Sequence, residues 1–246
     1  MLLTDIEGKR IPIVSIGTSP FFGAGQFGIK ALFWREKFLR NPEEMARLMM
    51  EAYNAGSRGA HVIPLGQIPA AANIVKDQYS DFIVIGSTPP NNIMKGIEIL
   101  EKMDAKIIFV HGQIADLRRK DKLSDLLGKI RNTGAVPGIA THEPIETISF
   151  IESQGLDCPA ILVPFNSKGY AMQNKPRLER MINSSTKFFI GMKVLAAGKI
   201  KPKAAFEYVG QHGNISAVTI GITSSQEAKE SVYFALKYLN SGSRLT

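Results

Sequence analysis

Apolar residues along the chain fall into two alternating patterns. Short, near-continuous runs such as IIFV at 107–110, AILVPF at 160–165 and AVTIGI at 217–222 are separated by longer stretches with apolar positions every three or four residues. The first pattern suits strands covered on both faces, and the second suits amphipathic helices. Together they predict strands at 11–19, 59–65, 82–88, 106–111, 136–141, 160–165, 188–194 and 217–222. A helix opens at Asn41-Pro42-Glu43-Glu44, where an Asn cap, a first-turn Pro and two acids suit the positive helix end. Met45, Leu48, Met49 and Ala52 continue it at helical spacing, and Gly56 stops it. Further helices follow at about 68–79, 91–103, 117–132, 144–153, 175–182, 202–211 and 225–238.

Strict alternation of eight strands and eight helices over 246 residues predicts an α/β fold, a (β/α)8 TIM barrel. A doubly wound open sheet is the second choice, because it seldom needs eight units. No linker, charge block or composition shift divides the chain, so residues 1–246 are expected to form one barrel domain. The connection at about 19–40 is too long for a plain strand-to-helix loop. Gly23, Gly25 and Gly28 give it mobility, and Phe21, Phe22, Phe27, Phe33 and Trp34 give it apolar surface. It is expected either to fold over the mouth as a lid or to pack its aromatics under the rim or against another copy.

Composition adds less. Thirty basic against twenty-two acidic side chains give a net charge of +8, which favours anionic partners such as phosphorylated small molecules. No basic-aromatic RNA motif is present, so nucleic acid is not an expected partner. Asp5 and Glu7 interrupt the place where a signal peptide needs its apolar core, and no apolar run reaches the length of a membrane span. A cytoplasmic protein away from the membrane is therefore expected. The lone Cys158 precedes the sixth strand, on the end of a barrel that serves stability, so it is not read as a nucleophile.

Barrel active sites lie where strands end. His61 falls in the second strand, His111 ends the fourth, and His142 follows the fifth. Imidazole serves there as acid, base or metal ligand. For His61 a hydrogen-bonded core position is an equal reading, whereas His212, closing a helix, reads as a terminal cation. Carboxylates are scarce at these ends. Glu143 reads as a helix start and Asp116 lies past the fourth strand, which disfavours a paired-carboxylate hydrolase. The seventh strand ends in Lys193 and leads to Gly198, and the eighth runs through Thr223, Ser224 and Ser225 into the last helix. Loops after these two strands commonly cradle phosphate in barrels. The plainer alternative is a capping box from Ser224 to Glu227.

Several segments resemble the aldo-keto reductases, the NAD(P)H-dependent barrel oxidoreductases. IVSIGTSPFFGAGQFG is similar to their first strand and Gly-rich turn, AYNAGSRGAHV to the second-strand segment, and IIFVHG to the strand that ends in their catalytic His. GIATH, VPFN, KVLAAGKI and AVTIGITSSQEAKESV are similar to the later strands, and the likeness is stronger from Gly138 onward. The resemblance implies a nicotinamide cofactor, NADP or NAD, held across Asn166, Gly198, Thr223, Ser224 and Ser225, with His111 polarising a substrate oxygen. The family's other catalytic positions do not match. His61 stands at the Asp position, Gly66 at the Tyr position and about Ser87 at the Lys position. Lys193 and Tyr170 are the candidate replacement acids. No arginine stands where a 2′-phosphate would be clamped.

Two other readings stay open. One is a barrel lyase, isomerase or hydrolase acting on a phosphorylated substrate, with His61, His111 and His142 as catalysts or as ligands of a divalent metal such as zinc. The other is a non-catalytic barrel that binds a nucleotide or RNA.

Overall fold

In the computed structural model, which describes residues 2–241, the chain begins with a hairpin that its hydrophobic pattern concealed. Strand β1 (Leu3–Ile6) pairs antiparallel with β2 (Lys9–Pro12), Ile6 opposite Lys9. Glu7 and Gly8 both have positive φ, 47° and 74°, the backbone that a tight two-residue hairpin turn favours. The strand expected at 11–19 is thereby divided. Its first residues belong to the hairpin, and only β3 (Val14–Gly17) enters the barrel.

The barrel continues with β4 (Gly59–Val62), β5 (Ile83–Ser87), β6 (Ile107–Val110), β7 (Val136–Ala140), β8 (Ala160–Pro164), β9 (Phe188–Met192) and β10 (Ile215–Gly221). Each strand is parallel to its neighbours. β10 pairs back on β3, with Val218 opposite Val14 and Gly221 opposite Gly17, and closes the sheet. The predicted (β/α)8 barrel is the observed fold. Two-residue alternation sends Ile107 and Phe109 of β6 inward, while Ile108 and Val110 face the helices.

The connections supply α1 (Lys30–Phe38), α2 (Pro42–Asn54), α3 (Ile68–Gln78), α4 (Ile93–Lys102), the single-turn α5 (Gly112–Ala115), α6 (Lys120–Asn132), α7 (Pro144–Ser153), α8 (Lys175–Ser184), α9 (Pro202–Gly210) and α10 (Ser225–Ser241). The cap expected on α2 is present, with the Glu44 amide donating to Asn41 Oδ1 at 3.1 Å. α6 starts three residues later than its apolar spacing suggests. The chain first makes α5, and Arg118 then turns at φ 51°, outside helical backbone. The connection expected as a loop at 19–40 contains a 3-10 turn (Gly25–Phe27) and α1. Its aromatics divide between two roles. Phe21 and Phe38 are fully buried with ring centroids 5.0 Å apart, whereas Phe33 is 65% exposed beside Ile29 and Leu32, at 93% and 74%. No helix among the described residues is long and apolar enough to cross a membrane.

Ile6 and Ile11 of the hairpin join one apolar cluster with Ile85, Ile107, Val136 and Ala160 from the barrel interior. The hairpin thus plugs the N-terminal end, and Arg131 ties its Glu7 to Asp157 below the sheet. The opposite end, where the strands finish, is left as the mouth. Ile11→Ala is expected to cost about 2–5 kcal/mol of stability by urea unfolding. A loss below about 1 kcal/mol would show that the hairpin lies outside the core.

Candidate active site

His111 follows β6 and caps α5. The Gln113 amide donates to its Nδ1 at 3.2 Å, so the neutral ring carries its proton on Nε2 as a donor. His142 follows β7, and the two rings lie edge to face with centroids 6.1 Å apart. Gly112 makes this approach feasible, because a Cβ there would stand 3.0 Å from His142 Cδ2. Lys193 follows β9 and sets its Nζ 3.3 Å from His142 Nδ1. Three strand ends therefore bring His111, His142 and Lys193 into one cluster at the mouth.

Asp116, at the end of α5, organises this cluster from one side. Its Oδ1 accepts from Thr141 Oγ1 at 2.5 Å and Thr147 Oγ1 at 2.9 Å, and its Oδ2 accepts from the His142 amide at 2.9 Å. Sequence reading placed Asp116 near the site without giving it a role. Its contacts to residues 141, 142 and 147 depend on tertiary neighbours. Glu143 stands at the start of α7, as its position suggested, and pairs with Arg118.

The basic groups are held below their ordinary pKa values. Desolvation, then the charge of His142, brings His111 down to about 4, opposed by Asp116. His142 keeps an open edge, yet desolvation and then the Lys193 ammonium lower it. Desolvation also lowers Lys193, with Asp116 opposing. All three groups thus favour the uncharged form compared with free side chains.

The backbone around Lys193 is strained. Lys193, Ala196 and Ala197 have φ of 55°, 47° and 56°, and Ala171 and Gln173 in the adjoining β8–α8 loop have φ of 59° and 60°. Asn166, fully buried, joins the two loops. Its Oδ1 accepts from the Tyr170 amide at 2.9 Å, and its Nδ2 donates to the carbonyls of Tyr170 at 2.9 Å and Lys193 at 3.3 Å. This residue, expected to help hold a cofactor, uses these groups to position Lys193 and Tyr170. Tyr170 sits between two ammonium groups, its ring centroid 6.0 Å from Lys193 Nζ and 5.4 Å from Lys199 Nζ.

His61 belongs below this cluster. It is buried, and its Nε2 lies 2.8 Å from Ser87 Oγ. Desolvation and the neighbouring His111 push its pKa down to about 3. The three imidazoles proposed as metal ligands do not converge, since His61 turns to Ser87 while His111 and His142 face each other. Among the described residues, no group of three or more His, Cys, Asp or Glu side chains is arranged to hold a metal ion. His212 packs edge-on against Phe165 at 4.9 Å and, just past the end of α9, sets its Nδ1 2.9 Å from the Tyr208 carbonyl. Cys158 is fully buried, and desolvation raises its pKa to about 12, which suits an inert thiol.

The start of α10 forms the capping box. The Glu227 amide donates to Ser224 Oγ at 3.3 Å, and Glu227 Oε2 accepts from the Thr223 amide and Oγ1, both at 2.8 Å. Ser225 Oγ accepts from Arg47 at 3.1 Å. Of the groups expected to hold an anion here, the Thr223 amide and hydroxyl already bond the protein's own carboxylate. Gly198 lies in the loop after β9 with φ 83°, and space is open where its side chain would stand.

Against solved structures the whole chain superposes well. Pseudomonas aeruginosa PA4992, classed provisionally as an aldo-keto reductase, matches 97% of this chain and 96% of its own, with a TM-score of 0.72 and 16% identity. The thermostable aldo-keto reductase Tm1743, solved with the inhibitor epalrestat, matches 98% and 94%, with a TM-score of 0.64 and 13% identity. A single-substitution mutant of Gox0644, solved with NADPH, matches 99% and 94%, with a TM-score of 0.65 and 9% identity. The fold is aldo-keto-reductase-like. At these identities the likeness concerns the fold alone. No family model matches the sequence, and no curated protein matches it.

Within this aldo-keto-reductase-like barrel, the departures from the family pattern have structural counterparts. Gly66, at the Tyr position, has φ 52°, and a Cβ there would meet Leu39 Cδ1 at 2.6 Å. Ser87, at about the Lys position, is bonded to His61.

The depressed imidazoles set an acid limit on stability. An unfolded His binds its proton near pH 6.5, whereas folded His111 and His61 resist protonation down to about 4 and 3. In between, the unfolded chain binds more protons, so stability falls as pH drops through that window. The slope is at most about 1.4 kcal/mol per pH unit for each histidine. Urea unfolding from neutral pH to about pH 4 should show the loss. His61→Gln is expected to flatten the curve, and an unchanged slope would remove His61 as a cause.

Proposed function

We propose that the protein is an oxidoreductase of the aldo-keto reductase type that acts on a small carbonyl compound at the barrel mouth. The supporting observation is the cluster of a proton-donating His111 Nε2, His142 and Lys193, gathered where the family's Tyr and Lys are absent. His111 is held neutral and donates a hydrogen bond to the carbonyl oxygen, polarising the bond. His142, beside Lys193, passes on the proton that this oxygen gains on reduction, the work done by Tyr in the resembled family. Lys193 and Lys199 favour a substrate carrying a carboxylate or phosphate.

A nicotinamide dinucleotide, when bound, would supply the hydride. The residues present suit one that lacks a 2′-phosphate. Lys199, with Gly198 beside it in the open loop after β9, would hold the diphosphate. At the start of α10, Thr223, Ser224 and Ser225 occupy the stretch where the resemblance leads one to expect the 2′-phosphate clamp, and Glu227 presents a carboxylate to it. A carboxylate accepts from a ribose hydroxyl but repels a phosphate. Of the two cofactors expected, the reading favours NAD.

Trp34, the single tryptophan, lies in α1 of the connection that leaves β3 at the mouth, with its ring 4.9 Å from that of Phe27, so its emission is expected to respond to a ligand there. Titration with NADH should quench its emission saturably, with energy transfer to the nicotinamide and roughly tenfold tighter binding than NADPH. Glu227→Gln keeps an acceptor for the cap but removes the charge, so it should narrow that preference. Absence of saturable binding for both dinucleotides, in fluorescence and in thermal shift, would overturn the reading.

A further inference from the structure

We infer that Lys193 is a nucleophilic amine that captures the carbonyl carbon of an anionic aldehyde or ketone as an imine, with His142 relaying the proton. The inference rests on the carbonyl-binding mouth proposed above but requires no dinucleotide.

Four observations converge on Lys193. It leaves the C-terminal end of a barrel strand, where its side chain reaches the mouth from a rigid element. Among the described residues no carboxylate forms an ion pair with its Nζ, and its nearest polar partner is the His142 ring at 3.3 Å. Its backbone is held at φ 55° by the Asn166 contact to its carbonyl, a strained conformation of the kind retained at functional sites. The groups around it are mostly basic or uncharged. His142 comes from the end of β7, His111 from the end of β6, Tyr170 from the β8–α8 loop and Lys199 from its own loop, with Asp116 as the opposing carboxylate. A partly dry site favours the free amine, which is the nucleophilic form, and Asp116 opposes it.

The chemistry balances without an oxidant or reductant. The Nζ lone pair attacks the carbonyl carbon and forms the C–N bond, while the carbonyl π pair moves to oxygen. His142 takes a proton from the nitrogen and delivers it to the oxygen, giving a neutral carbinolamine. A further proton, taken up from solvent by His142 and passed to that oxygen, lets it leave as water, as the nitrogen lone pair forms the C=N bond. The products are one protonated imine and one water. A cationic imine is a stronger electron sink than the carbonyl, which suits proton abstraction or carbon–carbon bond cleavage at the adjacent carbon. The nearby imidazoles are placed to accept such a proton.

The test traps the imine by reduction. Full-length protein is treated near neutral pH with formaldehyde and sodium cyanoborohydride, and separately with pyruvate and the same reductant, and each lysine is followed by peptide mass spectrometry. Formaldehyde should modify Lys193 faster than exposed Lys203, because a lowered pKa raises the free-amine fraction near neutral pH. Pyruvate should give one reduced adduct, on Lys193, which disappears in Lys193→Arg. Thermal unfolding of that variant checks its fold. Should the variant unfold, saturation of the wild-type adduct at one per chain, mapped to Lys193, serves in its place. Support requires both trapping results. Formaldehyde labelling of Lys193 no faster than Lys203, or a pyruvate adduct that is absent or spread over surface lysines, overturns the inference. NADH titration of the wild-type protein is independent of both arms, so failure of the dinucleotide reading is distinguishable from failure of the imine.

Discussion

Closure of the parallel sheet is the constraint on which everything else depends. Once β10 pairs with β3, no strand edge remains in the barrel, and every strand has one face toward the interior and one toward the helices. Both faces are then dry, which explains the near-continuous apolar runs and confines polar chemistry to the ends. The N-terminal end is filled by Ile6 and Ile11 of the hairpin. Only the other end can collect reactive side chains, and it collects them from β6, β7 and β9 because curvature turns distant strand ends toward one another.

Holding two imidazoles and an amine together in a partly dry space opposes their protonation. The arrangement is supported by a small set of neutral contacts. Asp116 is fixed by two threonine hydroxyls and a backbone amide, and Asn166 bridges the strained loops with three hydrogen bonds. Each such bond contributes about 1 kcal/mol net, so the Asn166 set is worth about 3 kcal/mol. A left-handed non-glycine residue costs about 1–2 kcal/mol, and the one of these bonds that reaches Lys193 offsets about 1 kcal/mol of it. A fully buried polar residue that looks spare in the sequence is thus the support of the neighbouring reactive one.

The likeness to aldo-keto reductases and the departure from them arise at different levels. The barrel is shared at the level of the fold, whereas the strand-end His111 belongs to the resembled sequence pattern. The acid is not shared, since Gly66 has backbone and neighbours that leave no room for a tyrosine. The start of α10 keeps the helix-capping geometry, with Glu227 bonded to Thr223. The same scaffold therefore presents a basic cluster centred on Lys193 and His142.

Much of the architecture was legible along the chain, because strand and helix periods are local properties of backbone geometry. Alternating runs, the Asn41 cap, the Ser224–Glu227 box and the strand-end places of His111, His142 and Lys193 all follow from neighbours close in sequence. The Glu7–Gly8 turn was missed because its dipeptide is a weak turn signal, and α1 because its apolar residues face solvent as well as the core. What only the tertiary structure decided is which strand-end groups meet. Lys193 and His142 are 51 residues apart and touch because the barrel closes. Asn166 became a brace and His61 a partner of Ser87 through contacts across loops and strands. Such pairings depend on inter-strand register and loop path, which no local periodicity encodes.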